Sequence, residues 1–192
     1  TGGAIYGEQG YSPAREEHPQ SPTSPYGLSK LSVEGYLRFY QEQHGLNATV
    51  FRYGNVFGPR QNPHGEAGVI AIFCHRLLNG QAPIINGDGE QTRDYVFVGD
   101  IVRANLLALD LSKSDVFNVG TGQETSVNKL TEILLQIIGT DICVENAQAR
   151  DYEQRRSCLS YKKIKNVMGW DPLVSLEEGL DETYKFFKRN KP

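Results

Sequence analysis

Tyr26 and Lys30 stand four residues apart in the segment Ser24-Pro25-Tyr26-Gly27-Leu28-Ser29-Lys30. On a helix that spacing puts both side chains on one face, within reach of a common ligand. An ammonium beside a phenol favours the phenolate, drawing a group of ordinary pKa about 10 toward neutral pH. A tyrosine placed in this way can pass a proton to or from a substrate hydroxyl. The spacing alone is a weak signal, since many surface helices carry it. Two arginines offer a second chemistry. Arg93 lies in Thr92-Arg93-Asp94, and Arg150 opens the charged run Arg150-Asp151-Tyr152-Glu153. A guanidinium matches phosphate oxygens in a bidentate way; the competing readings are a strand-end salt bridge for Arg93 and a solvated loop for Arg150. His18, His44, His64 and His75 show no HExxH spacing, and Cys74, Cys143 and Cys158 form no CxxC or Cys/His pattern. No metal is assigned.

The elements that must position these groups follow from periodicity and punctuation. Residues 8–25 are polar and rich in Pro, Ser and Glu, which predicts a long loop. Ser24-Pro25 opens a helix to about His44, stopped by Gly45, with apolar residues on two faces. Thr49 to Tyr53 is a strand, and 54–65 reads as loop. Ala67 to Asn79 is a helix, Pro83-Ile84-Ile85 a short strand, and Gly87-Asp88-Gly89 a turn. Asp94 to Val98 is a strand, and Asp100 is expected to N-cap a helix to about Leu111. Val116 to Val119 is a strand, Ser126 caps a helix to Ile138, and Asp141 to Glu145 is a strand. Ser160 and Ser175 are expected to cap two last helices. Strands alternating with helices give an α/β fold with a largely parallel sheet.

Composition narrows the classes. With 192 residues, 39% hydrophobic and 22% charged, the chain has the profile of a soluble globular protein able to bury a sizeable core. A net charge of −3 speaks against a broad basic surface, so no nucleic-acid partner is expected. No apolar run approaches the roughly 18 residues of a membrane span. An odd, scattered set of cysteines fits reduced thiols in the cytoplasm. The first residues carry no initiator Met, and Thr1 to Gly7 reads as the end of a strand running into a loop. A preceding portion of the protein is therefore expected.

Several segments then fall in a telling order: the Tyr26–Lys30 pair; Phe51-Arg52-Tyr53-Gly54-Asn55-Val56-Phe57-Gly58-Pro59-Arg60-Gln61; Gly87-Asp88-Gly89-Glu90-Gln91-Thr92-Arg93-Asp94-Tyr95-Val96-Phe97-Val98 with Asp100; Asn118-Val119-Gly120-Thr121-Gly122; and Gly169-Trp170-Asp171-Pro172. This ordered set resembles the extended short-chain dehydrogenase/reductases of the NAD-dependent epimerase/dehydratase family, which act on nucleotide sugars. The resemblance covers nearly the whole chain. It implies a Rossmann-like, doubly wound sheet with a smaller α/β substrate lobe. Residues 1–60 would be the C-terminal part of the NAD-binding domain. Residues 61–192 would be mainly substrate lobe, with about 90–125 returning to the Rossmann sheet. The family's GxxGxxG fingerprint is absent, so roughly 100 residues of a further Rossmann half would lie ahead of Thr1.

The resemblance also implies roles. Tyr26 would be the acid/base and Lys30 would hold the nicotinamide ribose. Thr1 would fill the family's catalytic Ser/Thr position, although Gly2 occupies the more usual offset from Tyr6. Tyr53 and Val56 would run along the nicotinamide end of NAD. Asn55 would touch the substrate diphosphate, Arg93 and Arg150 would grip the UDP pyrophosphate, and Glu153 the uridine ribose. Gly68, Val69 and Ile85 would line the substrate side, and Ser157 would border the sugar's 2-substituent, its small size leaving room for an N-acetyl group. Tyr152 stands where the family often has Gly.

Relatives that dehydrate or decarboxylate nucleotide sugars place an Asp or Glu in the segment before Tyr-Gly. Here that segment is Gly2-Gly3-Ala4-Ile5, without a carboxylate, whereas 4-epimerisation needs only Tyr, Lys and Ser/Thr. The segments Thr1 to Gly7 and Gly58 to Val69 are similar to prokaryotic UDP-glucose 4-epimerases. The expected activity is therefore NAD-dependent 4-epimerisation of a UDP-hexose, UDP-glucose/UDP-galactose with N-acetylated forms in reach, by transient oxidation at C4. UDP-glucuronate 4-epimerisation and a non-catalytic nucleotide-sugar-binding fragment are the alternatives. Relatives dimerise through the Tyr26 helix, so a homodimer is expected.

Overall fold

The computed structural model describes residues 2–64, 68–149 and 154–190. The elements run α1 (Gly2–Tyr6), α2 (Pro25–His44), β1 (Thr49–Tyr53), β2 (Asn55–Phe57), α3 (Val69–Leu78), β3 (Ile84–Asn86), β4 (Thr92–Arg93), β5 (Tyr95–Phe97), α4 (Val98–Ala108), β6 (Asp115–Val119), β7 (Thr125–Ser126), α5 (Val127–Ile138), β8 (Glu145–Ala147), β9 (Arg156–Ser157), α6 (Lys162–Met168) and α7 (Leu176–Arg189). The strands pair across long sequence separations, as an α/β fold requires. β1 pairs parallel with β6, placing Tyr53 opposite Val119. β2 pairs parallel with β5, with Asn55 opposite Tyr95. β3 pairs parallel with β8. β4 lies between β7, antiparallel, and β9, parallel, with Arg93 opposite Ser157.

Three buried clusters hold these pairs. In the largest, Ile70, Phe73, Cys74 and Leu77 of α3 meet Leu130 and Leu134 of α5, Leu180 of α7, and Phe57, Ile85, Tyr95 and Phe97 from the strands. The α3 residues recur at 70, 73, 74 and 77, the stripe of a helix with one face inward. A second cluster gathers Val96, Ile101, Ala104, Phe117, Val119 and Ile164 around Trp170, whose indole N–H donates to the Asp100 carbonyl at 2.9 Å. The third is small: Ile5, Tyr6, Ala14 and Leu159. It fastens α1 and the 8–24 loop to the chain beyond β9, through Ala14 N–H to the Cys158 carbonyl and Ser160 N–H to the Ala14 carbonyl.

Three helix starts follow the sequence reading, a fourth falls two residues late, and two differ. Ser24 accepts from Gly27 N–H, Ser126 from Lys129 N–H, and Ser175 forms a reciprocal capping box with Glu178. Helix α3 begins at Val69, two residues after the expected Ala67. Asp100 is not an N-cap: α4 starts at Val98, and the buried carboxylate instead accepts from Leu173 N–H and Val174 N–H at 3.1 Å and from Arg103 at 2.7 Å. It ties the chain after Trp170 to the helix, a tertiary demand that outweighs capping. Ser160 is not a cap either, because α6 begins at Lys162 after Tyr161, and the Ser160 backbone is engaged by Ala14.

Three segment types also differ. Gly2 to Tyr6 is a short helix, not a strand end: the helical turn buries Ile5 and Tyr6 together and brings the Tyr6 hydroxyl to Asn118 at 2.8 Å. Residues 55–57, read as loop from their Gly and Asn surroundings, form a strand because β5 offers a parallel partner. The strand expected at 141–145 lies at Glu145–Ala147, set by its register with β3. Local propensity is a weak prior against such pairings.

Candidate active site

Helix α2, which carries Tyr26 and Lys30, is held at two points. Only Gly27 and Glu34 of α2 are buried. A Cβ on Gly27 would collide with the Ala4 carbonyl oxygen, so only glycine lets the first turn of α2 lie against α1. Two turns further along, Glu34 meets Arg52 of β1 in a forked ion pair: Nε donates to Oε1 at 3.0 Å and the terminal nitrogen to Oε2 at 2.7 Å. Arg52 also donates to the Tyr6 hydroxyl at 2.7 Å and the Glu16 carbonyl at 3.0 Å. Tyr6 in turn donates to Asn118 of β6, whose amide donates to the Ala14 carbonyl at 3.0 Å. Burial pushes the Tyr6 phenol up to about 12 despite the neighbouring guanidinium, so it stays neutral and can donate. Sequence inspection missed this network; a charged residue in each of α2 and β1 at otherwise apolar positions is the one signal it leaves.

With α2 so fixed, Tyr26 occupies its first turn, 50% exposed. The Lys30 ammonium sits over the Tyr26 ring, 5.2 Å from its centroid. Among the described residues, neither the phenol oxygen nor the ammonium has a protein hydrogen-bond partner, so both remain available to a ligand. The pair expected from spacing is thus assembled.

The substrate-side residues converge on a cavity of about 460 Å³, within the ~300–1,000 Å³ that ligand pockets span. Asn55, Gly68, Val69, Ile85 and Arg93, all singled out in the sequence, line it. The structure adds Arg76, Asn86, Gln91 and Tyr95. Arg76 sits one turn beyond Ile72 on the same face of α3, so helical spacing from Val69 could have found it. Its Nε donates to the Ala82 carbonyl at 2.6 Å. Gln91 donates to the Asn86 carbonyl at 3.1 Å. A wall with two guanidiniums and several amides over an apolar floor suits a polyanionic ligand with a polar body.

Other expected residues lie apart from this cavity. Ser157 is buried beside Arg93 in the β4–β9 pair, and its hydroxyl faces Gly3 so closely that a Cβ there would strike it. It therefore stands between the arginine strand and α1. Tyr53 and Val56 pack against the Trp170 cluster, and the Tyr53 hydroxyl pairs with Asn105 of α4 at 3.0–3.2 Å. Thr1, Arg150 and Glu153 lie outside the described residues.

Known proteins resemble this chain over nearly its whole length. The profile of the family described as GDP-mannose 4,6 dehydratase matches residues 3–183. The chain is 43% identical over 192 residues to a UDP-glucose 4-epimerase of Mycolicibacterium smegmatis, covering all of this chain and 61% of the relative. A UDP-glucose 4-epimerase of Thermotoga maritima, solved with UDP-glucose, superposes with a TM-score of 0.96 at 50% identity, over 98% of this chain and 62% of that one. The Thermus thermophilus UDP-glucose 4-epimerase, solved with NAD, gives 0.89 at 41% identity, over 100% of this chain and 63% of that one. The chain thus spans about three fifths of the length of the relatives it matches. On the family match and these identities, the chain belongs to the GDP-mannose 4,6-dehydratase family of NAD-dependent nucleotide-sugar epimerases and dehydratases.

Proposed function

We propose that the protein carrying this chain is a UDP-hexose 4-epimerase that works with NAD. The observation that carries the reading is the Tyr26–Lys30 pair on one face of α2, beside a turn, Gly2–Tyr6, that contributes no acidic side chain. That set can move one proton at one hydroxyl; eliminating water would need a further acid and base. The exposed, unpartnered phenol and ammonium suit the hydroxyls of a nicotinamide ribose, so Tyr26 and Lys30 would hold NAD, and the family resemblance adds Tyr53 and Val56 at the nicotinamide end. NAD, when bound, supplies the hydride acceptor and donor at C4.

The chain's own residues do the rest. Tyr26 takes the O4 proton as the carbinol becomes a ketone and returns it when the carbinol re-forms. Lys30, over the Tyr26 ring, fixes the ribose. Arg93, with Arg150 and Glu153, anchors UDP while Asn55 orients the diphosphate, leaving the sugar free to present either face. The resemblance sets Ser157 at the border of the sugar's 2-substituent, and a small residue there would extend the substrate class to N-acetylhexosamines. Leu28, Val33, Tyr36, Phe39 and Tyr40 are exposed along α2, and a second copy would cover them in a homodimer.

The test is to incubate the full reading frame with UDP-galactose and, separately, UDP-GalNAc, with no cofactor added, and to resolve products by chromatography. The C4 epimer in the first reaction is expected, and in the second it extends the substrate class. No epimer from either, even with NAD supplied, while UDP-glucuronate turns over, would replace the hexose with a sugar acid; no turnover of any would leave a binding protein.

A further inference from the structure

Asp94 is 1% exposed, yet among the described residues every group donating to it is uncharged. One carboxylate oxygen accepts from Thr121 N–H at 2.8 Å and from the Thr121 hydroxyl at 2.6 Å. The other accepts from Gly122 N–H and Leu159 N–H, both at 3.1 Å, with the Cys158 thiol at 3.9 Å. The Asp94 carbonyl accepts from Asn55 N–H at 2.6 Å. Burial raises the carboxyl's pKa and these donors oppose the rise. Three backbone N–H groups aimed at two oxygens favour the ionised form, since a protonated acid would turn a donor against a donor.

The donors belong to the segments that present the substrate-side residues. Arg93 immediately precedes Asp94 on β4. Asn55, which lines the cavity, is held by its carbonyl. Cys158 and Leu159 directly follow Ser157 on β9, and Thr121–Gly122 follow the end of β6. A bidentate guanidinium–phosphate contact tolerates displacement of only about 0.5 Å. Something must therefore hold β4, β9 and the start of β2 in mutual register at this point, and the short strands, two or three residues each, supply few ladder bonds of their own.

We propose that Asp94 is a positioning residue for the nucleotide-sugar site: its carboxylate and carbonyl lock Arg93, Asn55 and Ser157 in register, and so set the affinity for the nucleotide diphosphate. The inference rests on reading Arg93 as a pyrophosphate contact. Asp94→Asn keeps the shape but turns an amide N–H toward the backbone donors. Thr121→Val removes one donor, and Thr121→Ser retains it.

The experiment measures UDP binding calorimetrically and steady-state kinetics with UDP-galactose for the four full-length proteins. Asp94→Asn should bind UDP about tenfold or more weakly and raise KM accordingly, with kcat within about twofold of the parent. Thr121→Val should be intermediate, and Thr121→Ser should match the parent. A folded Asp94→Asn protein with UDP affinity within about twofold of the parent overturns the proposal. If that variant does not fold, equal affinities for Thr121→Val and Thr121→Ser overturn it. If the parent itself binds no UDP, the pyrophosphate reading of Arg93 fails instead. The brace is then decided by hydrogen exchange: unchanged protection of the Gly122 and Leu159 amides in Thr121→Val refutes it, and faster exchange there upholds it.

Discussion

Replacing Glu34 with alanine tests how α2 is anchored. Glu34 and Arg52 are 8% and 4% exposed, and their fork is one of the two buried attachments of α2. Alanine removes the carboxylate but leaves the guanidinium in the interior, still tied to Tyr6 and the Glu16 carbonyl yet without a countercharge. Breaking a buried pair in this one-sided way costs about 3–5 kcal/mol, because an uncompensated charge stays buried. For a chain of this size each kcal/mol lowers Tm by about 2–4 °C, so a fall of about 6–20 °C is expected. Circular dichroism melts at neutral pH read this directly. The double variant Glu34→Leu/Arg52→Met removes both charges, so its loss should fall short of the sum of the single losses by at least about 1 kcal/mol. A Glu34→Ala melt within about 3 °C of the parent, or strictly additive losses, would refute the view that this pair holds α2 down.

Three shorter predictions follow from other parts of the structure. On the proposed mechanism Tyr26→Phe should lower turnover at least about 10²-fold with UDP affinity retained, since the phenol would act on the proton and not on the diphosphate; near-normal turnover would sink that role. Trp170→Ala should cost about 3–5 kcal/mol, emptying the centre of the second cluster and removing the indole bond to the Asp100 carbonyl, read as a lower urea midpoint at unchanged slope. Glu124 accepts from Arg156 at 2.7 and 3.0 Å and from Thr92 and Ser12, and the Arg156 fork holds its carboxyl down at about 2, below its ordinary 4.5. Its stabilisation is therefore complete above about pH 4.5 and lost as pH falls through 2, so the urea midpoints of parent and Glu124→Gln should differ at pH 7 and converge by pH 2; a gap that persists in acid would contradict it.

What the sequence revealed depended on how local the cause was. The α2 start was legible because Ser24, Pro25 and Gly45 act within a turn of where they stand. Tyr26–Lys30 was legible because helix geometry alone sets their spacing, and five cavity residues were legible through ordered motifs. The short helix Gly2–Tyr6 was not, since it depends on Tyr6 reaching Asn118, 112 residues away. Strand β2 needed β5, and Asp100 looked like a cap until the chain after Trp170 folded onto it. Arg76 escaped because its helix was read for its core stripe, while the cavity takes a neighbouring face.

Two of the buried carboxylates, Glu34 and Asp94, solve the same problem differently, and the difference bears on the site. Glu34 is neutralised by an arginine, so its fork resists displacement in every direction and suits an anchor for a helix that must not move. Among the described residues Asp94 has only dipolar donors, drawn from two other segments. Each of those bonds fixes one strand end relative to another, and together they set geometry more than they resist pulling. A charge-neutral replacement separates the two cases. At position 34 glutamine strands a buried cation, so the loss appears in global stability. At position 94 asparagine strands no charge and only sets donor against donor, so the loss should appear first in the register of Arg93 and hence in nucleotide affinity. Ranking Glu34→Gln and Asp94→Asn by both Tm and UDP affinity should therefore give opposite orders; the same order in both would mean that the two carboxylates serve stability alone.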